Sequence, residues 1–226
     1  MTITLHHYDY WPQSMAVRIG CQEAQVQPTI AVTLPSSDPA LSPPKLIDTV
    51  SWNQQPYEVW GGLGGLGYIQ ERAPGIDYIP PVPCLVPLTL KWTGWGSRVL
   101  VPAVQTLLME GLVNFPGDPS AFSRAWTAAK DAVSFLEPQV PDKGKFLNFE
   151  ASHQAHSAGV YSMADLTVGV ALSYLRILDP SDQFFTSSAF PRVFDYLAPL
   201  EQRAPWTQFL GPLTLTPNPP QLIKRP

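Results

Sequence analysis

Residues 161–178 constrain this chain more than any other stretch. Ser162 is followed three residues later by Asp165, the spacing of a capping box with Asp in place of Glu. The Ser162 hydroxyl can take a free amide of the first turn, and the Asp165 carboxylate can reach back to the cap. A negative charge there also suits the positive end of a helix. Met163, Leu166, Val170, Tyr174 and Ile177 form one apolar stripe, and Val168, Leu172, Leu175 and Leu178 form another. A helix that is apolar nearly all round is buried. The chain must therefore wrap other helices around this one and bury its polar cap with it.

The rest of the sequence can supply that wrapping. Of 226 residues, 45% are hydrophobic and only 14% charged, so a large core is available and disorder is excluded. The net charge of -4 and the lack of a basic run argue against nucleic acid. Cys21 and Cys84 are too few for a disulfide framework or a metal site. His153 and His156 have no second pair of ligands nearby, so no metal is expected. No apolar run approaches the ~18 residues of a membrane span. The start, Met1-Thr2-Ile3-Thr4-Leu5, reads as a strand rather than a signal peptide. These features predict a soluble cytoplasmic protein with no membrane partner.

Along the chain, residues 2–10 read as a strand and Ser14 to Ala24 as a helix capped by Ser14. Residues 25–34 alternate as a second strand. Short strands follow at Lys45–Asp48 and Tyr57–Trp60, with a turn at Asn53-Gln54, and Gly61–Arg72 reads as a helix. A proline-studded linker occupies 73–87. Helices are then predicted over Val86–Leu112, Ser120–Val140 and Phe190–Gln202, around the central one. The domain division expected is 1–78, then 85–211 as an all-helical domain, then 212–226 as an extended tail.

Three motifs occur in order: Ser162-x-x-Asp165 with its apolar run, Phe190-Pro191-Arg192-Val193, and Arg203-Ala204-Pro205-Trp206. Together they resemble the C-terminal half of the cytosolic glutathione S-transferase superfamily, over roughly residues 118–210. Tyr57-Glu58-Val59-Trp60 resembles its fungal-type, nitrogen-regulator-like branch. The resemblance implies an α/β plus all-α fold: a thioredoxin-like N-terminal domain joined to a glutathione-transferase-type helical bundle. It implies glutathione as co-substrate, a small hydrophobic electrophile as second substrate, and a homodimer. The alternative is a non-catalytic interaction module like the domain of elongation factor 1-gamma.

The same resemblance assigns residues. Pro43, Pro44 (in cis) and Lys45 would meet the cysteinyl part of glutathione. Gly61 and Gly62 stand where the superfamily has Glu-Ser. Their bare amides at a helix start could still bind a carboxylate. Pro12 opens the loop that holds the sulfur-contacting donor. A donor beside the sulfur favours the thiolate, which is the nucleophile. Alignment puts Trp11 where the serine classes have serine and His7 near the tyrosine of others, so the donors within reach are Ser14, Gln13 and Tyr10. Trp11, Trp92, Trp95, Met109, Trp206 and Phe209 are expected to line an apolar substrate pocket. A thiolate attacking an activated double bond gives conjugation if the adduct persists. It gives cis–trans isomerisation if a bond rotates and the thiolate leaves. The altered loop suggests a specialised enzyme, as in secondary metabolism.

Two other readings are set aside. Gly62-x-Gly64-x-x-Gly67 spells a dinucleotide fingerprint, but Pro74 ends its helix too soon and no βαβ unit follows. Val82-Pro83-Cys84-Leu85 could be the proline motif, but it leaves too little chain for the long helices.

Overall fold

The computed structural model describes residues 3–35, 42–49, 56–73, 75–114, 117–141, 144–149, 159–179, 184–213 and 215. Four strands, β1 (Ile3–His7), β2 (Thr29–Val32), β3 (Lys45–Asp48) and β4 (Tyr57–Trp60), form one sheet in the order β2-β1-β3-β4. β1 runs parallel to β2 and antiparallel to β3, and β4 is antiparallel to β3. Helices α1 (Pro12–Glu23) and α2 (Gly61–Arg72) pack together on one face. This is the expected thioredoxin-like arrangement.

Gly65 of α2 and Gly20 of α1 have a packing reason. A Cβ at Gly65 would sit 3.0 Å from the Val17 side chain, and one at Gly20 would sit 2.6 Å from Leu66. Missing side chains let α1 and α2 approach closely, with Leu5, Val17, Leu46 and Leu66 buried beneath them. Helix propensity is sacrificed for contact.

The helical half contains α3 (Leu85–Trp95), α4 (Val101–Leu108), α5 (Pro119–Leu136), α6 (Met163–Leu178), α7 (Pro191–Glu201) and α8 (Ala204–Leu210). Every residue of α6 from Met163 to Leu175 is buried. Its capping box is present. Ser162 accepts from the Ala164 amide at 3.3 Å, and Asp165 accepts from the Ser162 amide at 3.0 Å. Asp165 also accepts from the Leu147 amide and the Tyr196 hydroxyl, both at 3.0 Å. Burial pushes its carboxyl up to about 6, against these donors.

Several expected boundaries move. α1 starts at Pro12, not Ser14, because the Pro12 ring fixes a helical φ at the first position. Ser14 is thus inside the helix and caps nothing. β2 is shorter than residues 25–34. Gln25 takes φ 55, which ends the preceding helix rather than extending into a strand. The predicted helix Val86–Leu112 exists as a continuous run but holds two π-helical turns, Gly96–Leu100 and Met109–Val113. Pro119 sets the start of α5, and Glu137–Gln139 finishes it as a 3-10 turn. The turn at Asn53-Gln54, His153, His156 and residues 216–226 of the tail lie outside the described residues.

The two halves are joined by buried polar contacts. Tyr78 donates to the Gly20 carbonyl at 2.6 Å, and the Met163 amide donates to the Tyr78 carbonyl at 2.9 Å. Tyr174 on α6 donates to the Asp9 carbonyl in the loop after β1. That loop, which ends at the first turn of α1, is therefore held from both sides.

Candidate functional site

Three pieces of chain converge beside the start of α1. Trp11 is extended (φ -129, ψ 104) and gives no side-chain cap, and Pro12 begins the helix. The peptide bond between Pro43 and Pro44 is cis, and β3 leaves it at once. β4 ends at Trp60, and α2 starts at Gly61 with φ +78, a backbone state that favours glycine. The Gly61 amide donates to the Pro44 carbonyl at 2.9 Å, which ties the start of α2 to the cis-proline loop. A Cβ at Gly62 would lie 3.4 Å from Gln13 Cβ, so the first turns of α1 and α2 meet.

Both helices begin without a side-chain cap and without an acidic residue in the first turn. Amides at such ends lack intrahelical acceptors and carry the positive end of the helix dipole. Two of them side by side make a place for a carboxylate. The cleft they border has a volume of about 420 Å³. It is lined by Trp11, Gln13, Ser42, Pro43, Trp60, Gly61 and Gln105. No charged side chain is among these. Lys45 lies next to it, 3.6 Å from Glu58 and over the Trp60 ring at 4.6 Å from the centroid.

The expected site residues divide into two groups. Trp11, Gln13, Pro43 and Gly61 are brought together in the cleft, with Pro12, Pro44, Lys45 and Gly62 adjoining them. Ser14 is fully buried, and its hydroxyl has no hydrogen-bond partner. Tyr10 is buried, packed 5.5 Å from Tyr8, and otherwise engaged. His7 is buried too. It lies 2.8 Å from Asp9, whose carboxyl is held low by that hydrogen bond, against its partial burial and with Arg18 adding to the effect.

The expected apolar pocket is not assembled. None of Trp92, Trp95, Met109, Trp206 and Phe209 lines the cleft. Trp206 is fully buried under α6 and donates from Nε1 to the Tyr161 hydroxyl at 3.1 Å. Trp92 is buried and meets Trp95 edge-on at 5.7 Å, facing a different cavity with Lys91 and Arg192. Met109 opens the second π turn, and Phe209 lies under the Arg18 guanidinium at 4.5 Å. Apolar helical spacing marks burial, and it does not distinguish a core from a pocket wall.

Sequence reasoning missed Ser42, Trp60 and Gln105 as cleft residues. Ser42 and Trp60 directly precede assigned positions and could have been included. Gln105 had a weaker signal: with Thr106 it interrupts the apolar run of α4. Among the described residues, no group of three His, Cys, Asp or Glu could hold a metal. No described helix is long and apolar enough to cross a membrane.

No family model matches the sequence, and no curated protein matches it. Solved structures do resemble it. FzlA from C. crescentus superposes with a TM-score of 0.74 at 17% identity, covering 96% of each chain. The glutathione transferase URE2P6 from Phanerochaete chrysosporium, in complex with oxidised glutathione, gives 0.71 at 17% identity over 93% of this chain and 95% of that one. A glutathione S-transferase from Methylobacillus flagellatus KT with glutathione bound gives 0.70 at 16% identity, over 96% and 100%. Identity at this level speaks for architecture alone. The chain has the glutathione-transferase fold, a thioredoxin-like half joined to a helical half.

Proposed function

We propose that this chain is a glutathione-transferase-type enzyme, and that glutathione binds in the cleft between α1, the cis-proline loop and α2. The observation that carries this is the meeting of two uncapped helix N-termini beside a cis proline, on an open cleft with no lining carboxylate. In this reading the cysteinyl backbone lies along Pro43–Lys45. A carboxylate takes the free amides of the α2 first turn, where Gly62 and the residue after it remain once Gly61 is bound to Pro44. The sulfur faces the first turn of α1. Gln13 is the side-chain donor there, since Ser14 and Tyr10 are buried. The thiolate then adds to a small hydrophobic electrophile, ending in conjugation or in isomerisation. The protein works as a homodimer in the cytoplasm, in a specialised rather than a general route.

One observation favours a second reading, a non-catalytic module. The Gly61 amide is already used within the protein, and Glu58 on β4, an acid that could pair with a γ-glutamyl ammonium, sits against Lys45. Calorimetric titration with glutathione decides between the two. Binding at micromolar to low-millimolar concentration, lost in Gly62→Pro, supports the enzyme. Absence of binding at millimolar glutathione overturns it in favour of the module.

A further inference from the structure

Gln105 is the one residue of the helical half that lines the cleft, among the described residues. Its neighbours on α4, Val101, Val104 and Leu108, are fully buried. Its aim depends on the π turn just before α4. A π turn holds about one residue more than an α turn, and each helical residue is worth about 100° of rotation. With an ordinary turn at Gly96–Leu100, Gln105 would face another direction and an apolar neighbour would take its place. The carboxamides of Gln105 and Gln13 make no hydrogen bond among the described residues, so both remain open to a ligand.

The lining also lacks charge. Lys45, the nearest cation, is committed to Glu58 and to the Trp60 ring. Arg18, further along α1, lies 3.2 Å from Asp9 and over Phe209. With glutathione occupying the two helix ends, a second ligand bearing a carboxylate would lose its water here and meet no cationic side chain, which is costly. A neutral ligand with one hydrogen-bond acceptor would be matched by the Gln105 N–H.

We infer that the second substrate is an uncharged electrophile whose carbonyl oxygen is held by the Gln105 carboxamide, and that this cleft selects against electrophiles carrying a carboxylate. The inference rests on the glutathione reading above. In the step it describes, the glutathione sulfur, already deprotonated, forms a bond to the β-carbon of an unsaturated carbonyl compound. The C=C π pair becomes the double bond of the enolate as the C=O π pair moves onto oxygen, and that oxygen accepts the Gln105 N–H more strongly than the neutral carbonyl did. The α-carbon then takes a proton from water. Gln105 is thus a specificity-determining residue that acts at the developing charge.

The test compares dimethyl fumarate with monomethyl fumarate, each as enzymatic rate divided by uncatalysed rate, with glutathione affinity measured by calorimetry on the same proteins. The wild type is expected to favour the diester by tenfold or more, on the order of one charge-assisted hydrogen bond. Gln105→Leu is expected to lower kcat for the diester about tenfold with glutathione affinity unchanged. Gln105→Lys is expected to raise the relative rate on the monoester by supplying the missing cation. Equal enhancement of the two esters, or a Gln105→Leu variant with full kcat, overturns the inference while leaving the glutathione reading standing. A wild type that does not bind glutathione overturns both.

Discussion

Arg203 Nε donates to Glu23 Oε1 at 2.8 Å, joining the end of α1 to the start of α8 across 180 residues of sequence. The Glu23 side chain is only 6% exposed, and burial pushes its carboxyl up, with Arg203 opposing the shift. The guanidinium also covers the Tyr161 ring at 3.8 Å, next to the cap of the central helix. One side chain therefore serves the joint between the halves and the entrance to α6.

Removing that guanidinium should leave Glu23 buried without a counter-ion. Arg203→Leu is expected to cost about 1–2 kcal/mol, less than for a fully buried pair because the Arg203 side chain is itself 37% exposed. Arg203→Leu with Glu23→Gln should recover much of it, because a neutral amide tolerates burial better. Urea denaturation of the two variants checks this, and a single variant as stable as wild type sinks it.

Asp165 makes a prediction about pH. Its folded carboxyl titrates at about 6, above the ordinary 3.8. The native state therefore binds more protons than the unfolded state between these values. The stability this group contributes is fully present below about pH 4 and is lost as pH rises through 6. The stability of the wild type relative to Asp165→Asn should fall across that window and level off near neutrality. Asp165→Ala, which also strips the capping box, is expected to lose about 2 kcal/mol or more at any pH. Chemical denaturation at several pH values measures both.

The sulfur-side donors can now be ranked. Gln13→Ala is expected to reduce kcat about tenfold to a hundredfold with a smaller effect on glutathione affinity. Tyr10→Phe should act mainly on stability, since that ring is packed in the core. Ser14→Ala removes a buried hydroxyl with no partner, so it should leave stability unchanged or raise it by about 1 kcal/mol. A Ser14→Ala protein that folds normally but has lost its turnover would show that the serine, not Gln13, serves the thiolate.

A two-fold pair is expected through α3 and the turn after it. Leu90 and Val99 are 51% and 44% exposed there, whereas the neighbouring Leu100 and Trp92 are buried within the protomer. Sedimentation at micromolar concentration should give twice 24.9 kDa for the wild type. Leu90→Glu with Val99→Glu should shift it towards the single-chain mass. A wild type that sediments at the single-chain mass rules the pairing out.

The central helix and its cap were legible in the sequence because they rest on local spacing. Ser162, Asp165 and the double apolar stripe state both the start of α6 and its burial. The order of strands and the place of the Pro43–Pro44 bend were legible through the motif resemblance. The pocket wall was not. Trp206 and Trp92 carry the same signature as a pocket-lining aromatic would, and only tertiary position separates the two. Gln105 was hidden for another reason: its direction depends on the π turn before it, and nothing in Gly96-Ser97-Arg98-Val99-Leu100 announces one.

That turn also changes how such a molecule could be retuned. Most binding walls are altered by exchanging one side chain for another. Here the wall facing the cleft is set by the width of a turn, because the wide turn absorbs one residue that would otherwise swing the whole of α4 about its axis. Closing the turn at Gly96–Leu100 with every residue kept would present Val104 in place of Gln105, whereas deleting Ser97 would remove the extra residue and leave Gln105 facing the cleft. Two relatives of this chain could thus align with a single gap at this turn and still present the same side chains to the cleft, while two of equal length could differ in what they accept through the width of the turn alone.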